Sequence, residues 1–61
     1  MDQRYITERE TAGILSVNKQ TLANWRHQGK NLPYSKIGRA VRYALEDVIR
    51  FAESRKVNIE N

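Results

Sequence analysis

The chain contains no cysteine, so neither a disulfide nor a thiolate metal site can supplement its core. The same absence suits a reducing compartment, and a cytoplasmic location is the expectation. A single histidine, His27, is too little imidazole to build a zinc site with scattered carboxylates, so no metal is expected. Uncharged apolar runs last only a few residues, whereas a membrane-spanning helix needs about 20. The opening Met1-Asp2-Gln3-Arg4-Tyr5 lacks the apolar segment of a secretory signal. Absent too are a phosphate-cradling glycine loop, a Ser-His-Asp set and any metal-ligand spacing. Glu46 and Asp47 are adjacent carboxylates, but a helix start explains them, because acids complement the dipole there. Neither catalysis, a cofactor nor a small-molecule ligand is expected.

What is present is a basic chain of 61 residues, with 11 Lys plus Arg against 7 Asp plus Glu and a formal charge of +4. That length makes one domain, residues 1–61, which buries about 60% of its unfolded surface and is marginally stable. The ordered core is expected over about residues 5–56, with 57–61 a frayed tail. The charge attracts polyanions without distinguishing DNA from RNA or an anionic membrane. Its aliphatic residues are patterned, as in a folded domain and unlike a disordered basic tail.

Thr7-Glu8-Arg9-Glu10 matches a capping box and opens a helix over Glu8 to Leu15. Ala12 and Leu15 share one face, flanked by Thr11 and Ile14. Ser16-Val17-Asn18 forms a turn, Asn18 caps a second helix, and Gly29 suits its left-handed end. Leu22 and Trp25 project together toward the core, while Gln20, Asn24 and His27 occupy the opposite face, with Lys19 and Ala23 at its margins. Two short helices joined by a tight turn, the second polar on its outer side, point to double-stranded DNA.

Pro33 ends helical structure. Tyr34 to Ile37 and Val41 to Tyr43 alternate as short strands around a three-residue turn, Gly38-Arg39-Ala40. Pairing Ile37 with Val41 and Ser35 with Tyr43 turns those four inward. Lys36 and Arg42 then share the outward face, with Arg39 at the tip of a cationic wing. A last helix runs from Ala44 to about Lys56, with Leu45, Val48, Ile49 and Ala52 as its apolar stripe, widened by Phe51. The expected fold is mostly α with a small β-hairpin, a winged helix-turn-helix.

In order and spacing these residues resemble the small excisionase-like, AlpA-like winged helix-turn-helix proteins, distant relatives of the MerR-type DNA-binding domain. The resemblance runs from about Tyr5 to Arg55. It rests on Tyr5-Ile6-Thr7, the capped helix, Val17, Thr21-Leu22 and Trp25, then Gly29, Leu32-Pro33, Ile37-Gly38-Arg39-Ala40-Val41-Arg42-Tyr43 and Asp47-Val48. Ser16 departs from the glycine usual in the turn, which makes a left-handed backbone there less comfortable. Asn18 replaces the commoner serine cap, a swap that preserves capping.

A recognition helix of this kind lies in the major groove. Gln20 and Asn24 are the expected base readers, since carboxamides pair bidentately with adenine, and Lys19 reaches guanine or a phosphate. Asn18, Thr21, Arg26, His27 and Gln28 are expected at the DNA backbone or at base edges. In the wing, Arg39 suits a narrow minor groove and Lys36 and Arg42 suit phosphates. Arg42 has an alternative in pairing with Glu46 or Asp47. The resemblance implies either an excisionase that bends DNA for an integrase and binds beside neighbouring protomers, or a transcription regulator on an operator. A protein-interaction module without DNA binding is the third reading.

Overall fold

A computed structural model describes residues 4–57. The elements follow as β1 (Tyr5–Thr7), α1 (Glu8–Leu15), α2 (Lys19–Gln28), β2 (Ser35–Ile37), β3 (Ala40–Ala44) and α3 (Leu45–Ser54). This is a helix-turn-helix followed by a β-hairpin wing and a closing helix. Val57 has no regular structure, and the rest of the expected tail, 58–61, lies outside the described residues.

Local chemistry sets the helix ends. The Thr7 hydroxyl accepts from Glu10 N at 3.0 Å, and Glu10 Oε1 accepts from Thr7 N at 2.9 Å. This reciprocal pair satisfies donors that the first turn leaves over. At the other end Ser16 adopts φ 55, while Val17 N donates to Ala12 O at 3.0 Å and Ser16 N to Gly13 O at 3.3 Å. The bonds form a Schellman turn, with serine in the left-handed position usually given to glycine. Asn18 Oδ1 then accepts from Gln20 N at 2.8 Å and starts α2 three residues after α1 has ended. Gly29, at φ 63, ends it, with Lys30 N donating to Trp25 O.

The sheet has strand order β1-β3-β2, antiparallel throughout. Ile6 faces Tyr43 across β1 and β3, and both side chains enter the core. The hairpin differs from the sequence expectation by one residue. Ile37 pairs with Ala40, Lys36 with Val41 and Ser35 with Arg42. The turn therefore holds only Gly38 and Arg39, with Gly38 at φ 63 in the first turn position, as two-residue hairpins of the II′ kind require. A one-residue change of register exchanges the two faces of a strand. Ile37, expected inward, is 61% exposed, and Ser35 shares the outer face with Arg42 and Thr7.

The core gathers Ile6, Ala12, Leu22, Leu32, Tyr43 and Val48, packed round by Leu15, Val17, Trp25, Val41, Leu45 and Phe51. Trp25 of α2 meets Phe51 of α3 with ring centroids 5.5 Å apart. Thr11 is fully buried because its hydroxyl donates to Thr7 O at 2.8 Å, whereas its expected companion Ile14 is half exposed. On α3 the buried stripe is Leu45, Val48 and Phe51. Ile49 and Ala52, expected within it, face outward, because Trp25 draws the Phe51 side of the helix inward. Arg55 lies over the Phe51 ring and donates to Asn31 Oδ1 at 3.1 Å.

Candidate nucleic-acid interface

Leu22 anchors α2 in the core, and Trp25 lies half-buried against α3. Helical geometry then turns Gln20, Asn24 and His27 away from the protein, and all are exposed, as are Lys19 and Gln28. Thr21 is half-buried at the edge of this face. Gln20 Nε2 donates to Asn24 Oδ1 at 3.1 Å, joining the two carboxamides one turn apart. Asn18 differs from its neighbours in role: its side-chain oxygen is occupied as the cap of α2.

The wing carries its cations differently from the expectation. Arg39 is exposed at the tip, in the turn with Gly38. Lys36 lies opposite Val41, on the core-side face of the hairpin, while Arg42 lies opposite Ser35, on the other. Lys36 and Arg42 therefore do not share a face, a direct result of the two-residue turn. Arg42 is half-buried and donates from Nη1 to Val41 O at 2.8 Å. Asp47, one of its alternative partners, pairs with Arg50 at 3.3 Å, and Glu46 lies 4.0 Å from the same guanidinium.

Arg26 also departs from the exposed set. It turns toward α1, where Nε donates to Glu8 Oε2 at 3.2 Å and Nη2 to Glu8 Oε1 at 3.4 Å. The Tyr43 hydroxyl donates to the same Oε2 at 2.9 Å. The Tyr34 ring lies 6.0 Å from the Arg26 guanidinium and 6.5 Å from the Tyr43 ring. Burial opposes ionisation of Glu8, but hydrogen bonds from Arg26 and Tyr43 prevail and hold its carboxyl below the ordinary value. Burial, reinforced by the bond to Glu8, pushes the Tyr43 hydroxyl up to about 12. Glu8 and the Tyr43 hydroxyl escape sequence reading because their partners lie 18 and 35 positions away. The available signal was Tyr43 itself, since a buried phenol needs an acceptor.

The stretch of sequence that forms this surface carries charge of one sign. No Asp or Glu occurs in the sequence between Glu10 and Glu46, a span that includes α2 and the whole wing. Lys19, Lys30, Lys36, Arg39 and Arg42 stand within it; of the α1 carboxylates that reach this region, Glu8 is met by Arg26 and Glu10 lies within the field of Arg42. Among the described residues no group of His, Cys, Asp or Glu gathers as a metal site requires, and no helix is long and apolar enough to cross a membrane. Such a surface can bind a polyanion, and its paired carboxamides can offer hydrogen bonds to base edges.

A family model described as a helix-turn-helix domain matches residues 5–56, from the first strand to just beyond the last helix. No curated protein matches the chain. The capped helix pair, the polar outward helix and the extent of the match agree: the chain belongs to the helix-turn-helix domain family and is a DNA-binding protein of that kind.

Proposed function

We propose that the chain binds duplex DNA sequence-specifically, with α2 in the major groove and the wing at the adjoining minor groove and backbone. The observation that carries this reading is the outward Gln20–Asn24 pair on a helix without a carboxylate. These two side chains read base edges, with Lys19 beside them reaching guanine or a phosphate. Thr21, His27 and Gln28 border the reading face and serve edges or backbone, and Asn18 serves chiefly by fixing the start of α2. Arg39 enters the minor groove, and Lys36 and Arg42 meet phosphates from opposite faces of the wing. With about six phosphates neutralised, the slope of log affinity against log salt is near −5.

At the level of the cell, we infer an excisionase-like directionality factor that bends DNA for an integrase, in contact with that enzyme or with neighbouring protomers. Its support is the sequence resemblance set out above. The same surface serves an AlpA-like regulator on an operator. Selecting bound sites from a random duplex pool tests the specificity. A recovered motif supports it, and an unenriched pool defeats it. A circular-permutation gel assay on the selected site then separates the two roles, since an excision factor bends its site and an unbent, singly occupied site argues for the operator reading.

A further inference from the structure

Two elements touch DNA in the proposed complex, α2 and the wing, yet each is seated mainly on something else. α2 packs chiefly on α1, while the hairpin packs through β3 on β1, α1 and α3. The Glu8 carboxylate, at the first position of α1, bonds to both: Arg26 of α2 and Tyr43 of β3 share its Oε2. The ion pair is not sealed, since 22% of the Arg26 side chain and 15% of the Glu8 side chain remain exposed. Arg26 lies on the same helical flank as Ala23 and Lys19, three and seven positions earlier, at the margin of the reading face. A guanidinium released from Glu8 has a short path to solvent beside that face.

We propose that Glu8 is a specificity-determining positioning residue: it holds Arg26 against Tyr43, ties the reading helix to the wing, and withholds that guanidinium from the phosphate backbone. The inference rests on the DNA-binding reading above. A phosphate contact strengthens binding to every sequence alike and leaves specificity, a difference between affinities, unchanged. A free Arg26 therefore adds affinity without selectivity, and a held one does not. Selectivity comes from the brace: one carboxylate ties both elements and fixes the distance between the major-groove and minor-groove contacts, so a matched site meets both at once. Glu8 itself touches no DNA, and its charge is neutralised on the protein side by the residue it restrains.

The test is fluorescence anisotropy across a salt series, with a selected-site duplex and a scrambled duplex of equal length. Measurements are made at temperatures where circular dichroism shows each variant folded. Glu8→Gln is expected to steepen the salt slope by about 0.9 on both duplexes, through the released guanidinium, and to lower the selected-to-scrambled ratio on the order of tenfold, through loss of the brace. Arg26→Gln, although it removes a cation from the reading helix, is expected to leave the slope unchanged. The double variant is expected to return to the wild-type slope. Equal weakening on both duplexes by Glu8→Gln, with an unaltered slope, assigns Glu8 a structural role only and overturns the proposal. Flattening of the slope by about 0.9 in Arg26→Gln also overturns it, because Arg26 then already contacts a phosphate. Should Glu8→Gln not fold, a flattened Arg26→Gln slope still overturns the proposal. A wild-type protein that binds no duplex at about 50 mM salt defeats the DNA reading and this inference together. Selective wild-type binding with an inert Glu8 defeats the inference alone.

Discussion

The Tyr43 hydroxyl donates to Glu8 Oε2 at 2.9 Å, joining residues 35 positions apart on the wing strand and the first helix. The two groups respond to pH from opposite sides, Glu8 chiefly through Arg26 and Tyr43 chiefly through burial. Glu8 is held below its ordinary 4.5, so its contribution is present above that value and is lost as pH falls through the lower, folded-state value. Glu10, lowered by hydrogen bonds from the Thr7 backbone and hydroxyl, acts in the same direction. Tyr43 is raised from 10.0 to about 12, so stability is intact below pH 10 and declines as pH rises toward 12, where the unfolded phenol ionises first. Urea unfolding across pH checks both limbs. Glu8→Gln is expected to flatten the acid limb and Tyr43→Phe the alkaline one.

Gln20→Ala and Asn24→Ala are each expected to cost about 1–3 kcal/mol on selected base pairs and to relax the preference there. Because the two side chains are hydrogen-bonded, the double variant is expected to lose less than the sum of the single losses. Competition binding against single-base substitutions of the selected site measures all three. An unchanged base preference refutes the assignment of the reading face.

Arg39→Ala is expected to weaken binding almost evenly across sequences and to flatten the salt slope by about 0.9 if the tip arginine replaces one counterion. Titrations at several salt concentrations on matched and scrambled duplexes give the answer. A sequence-dependent loss with an unaltered slope contradicts counterion replacement by the tip arginine in the minor groove.

Ser16 sits at φ 55, a conformation that costs a side-chain-bearing residue roughly 1–2 kcal/mol. Part of that is returned in the unfolded state, where glycine loses more freedom on folding. Ser16→Gly is therefore expected to raise stability by about 0.5–1 kcal/mol in urea unfolding, with DNA affinity unchanged.

The helix boundaries were legible because their causes are local. Thr7, Asn18 and Gly29 act on backbone groups within a few residues, so spacing alone reveals them. The wing register was not. Gly38-Arg39-Ala40 reads equally well as a three-residue turn, and only pairing shows Ala40 inside the ladder opposite Ile37. That single step moved Lys36 to the core-side face and Ile37 out of the core. The pairing of Arg26 was not legible for a different reason: on its helix it is another cation near a polar face, and its partner belongs to another helix 18 residues away. The apolar stripe of α3 failed at Ile49 and Ala52 because periodicity defines a face only up to rotation. The tilted ring contact of Phe51 with Trp25 sets that rotation.

The hydrogen bond between Gln20 and Asn24 also bears on the time course of binding. Two carboxamides already fixed against one another lose less freedom on docking than two independent side chains. Encounter is governed by the long-range attraction of the cationic surface, which is nearly blind to sequence. Matched and mismatched sites are then reached at similar rates, and the distinction between them lies in residence time: a correct site is one the protein is slow to leave.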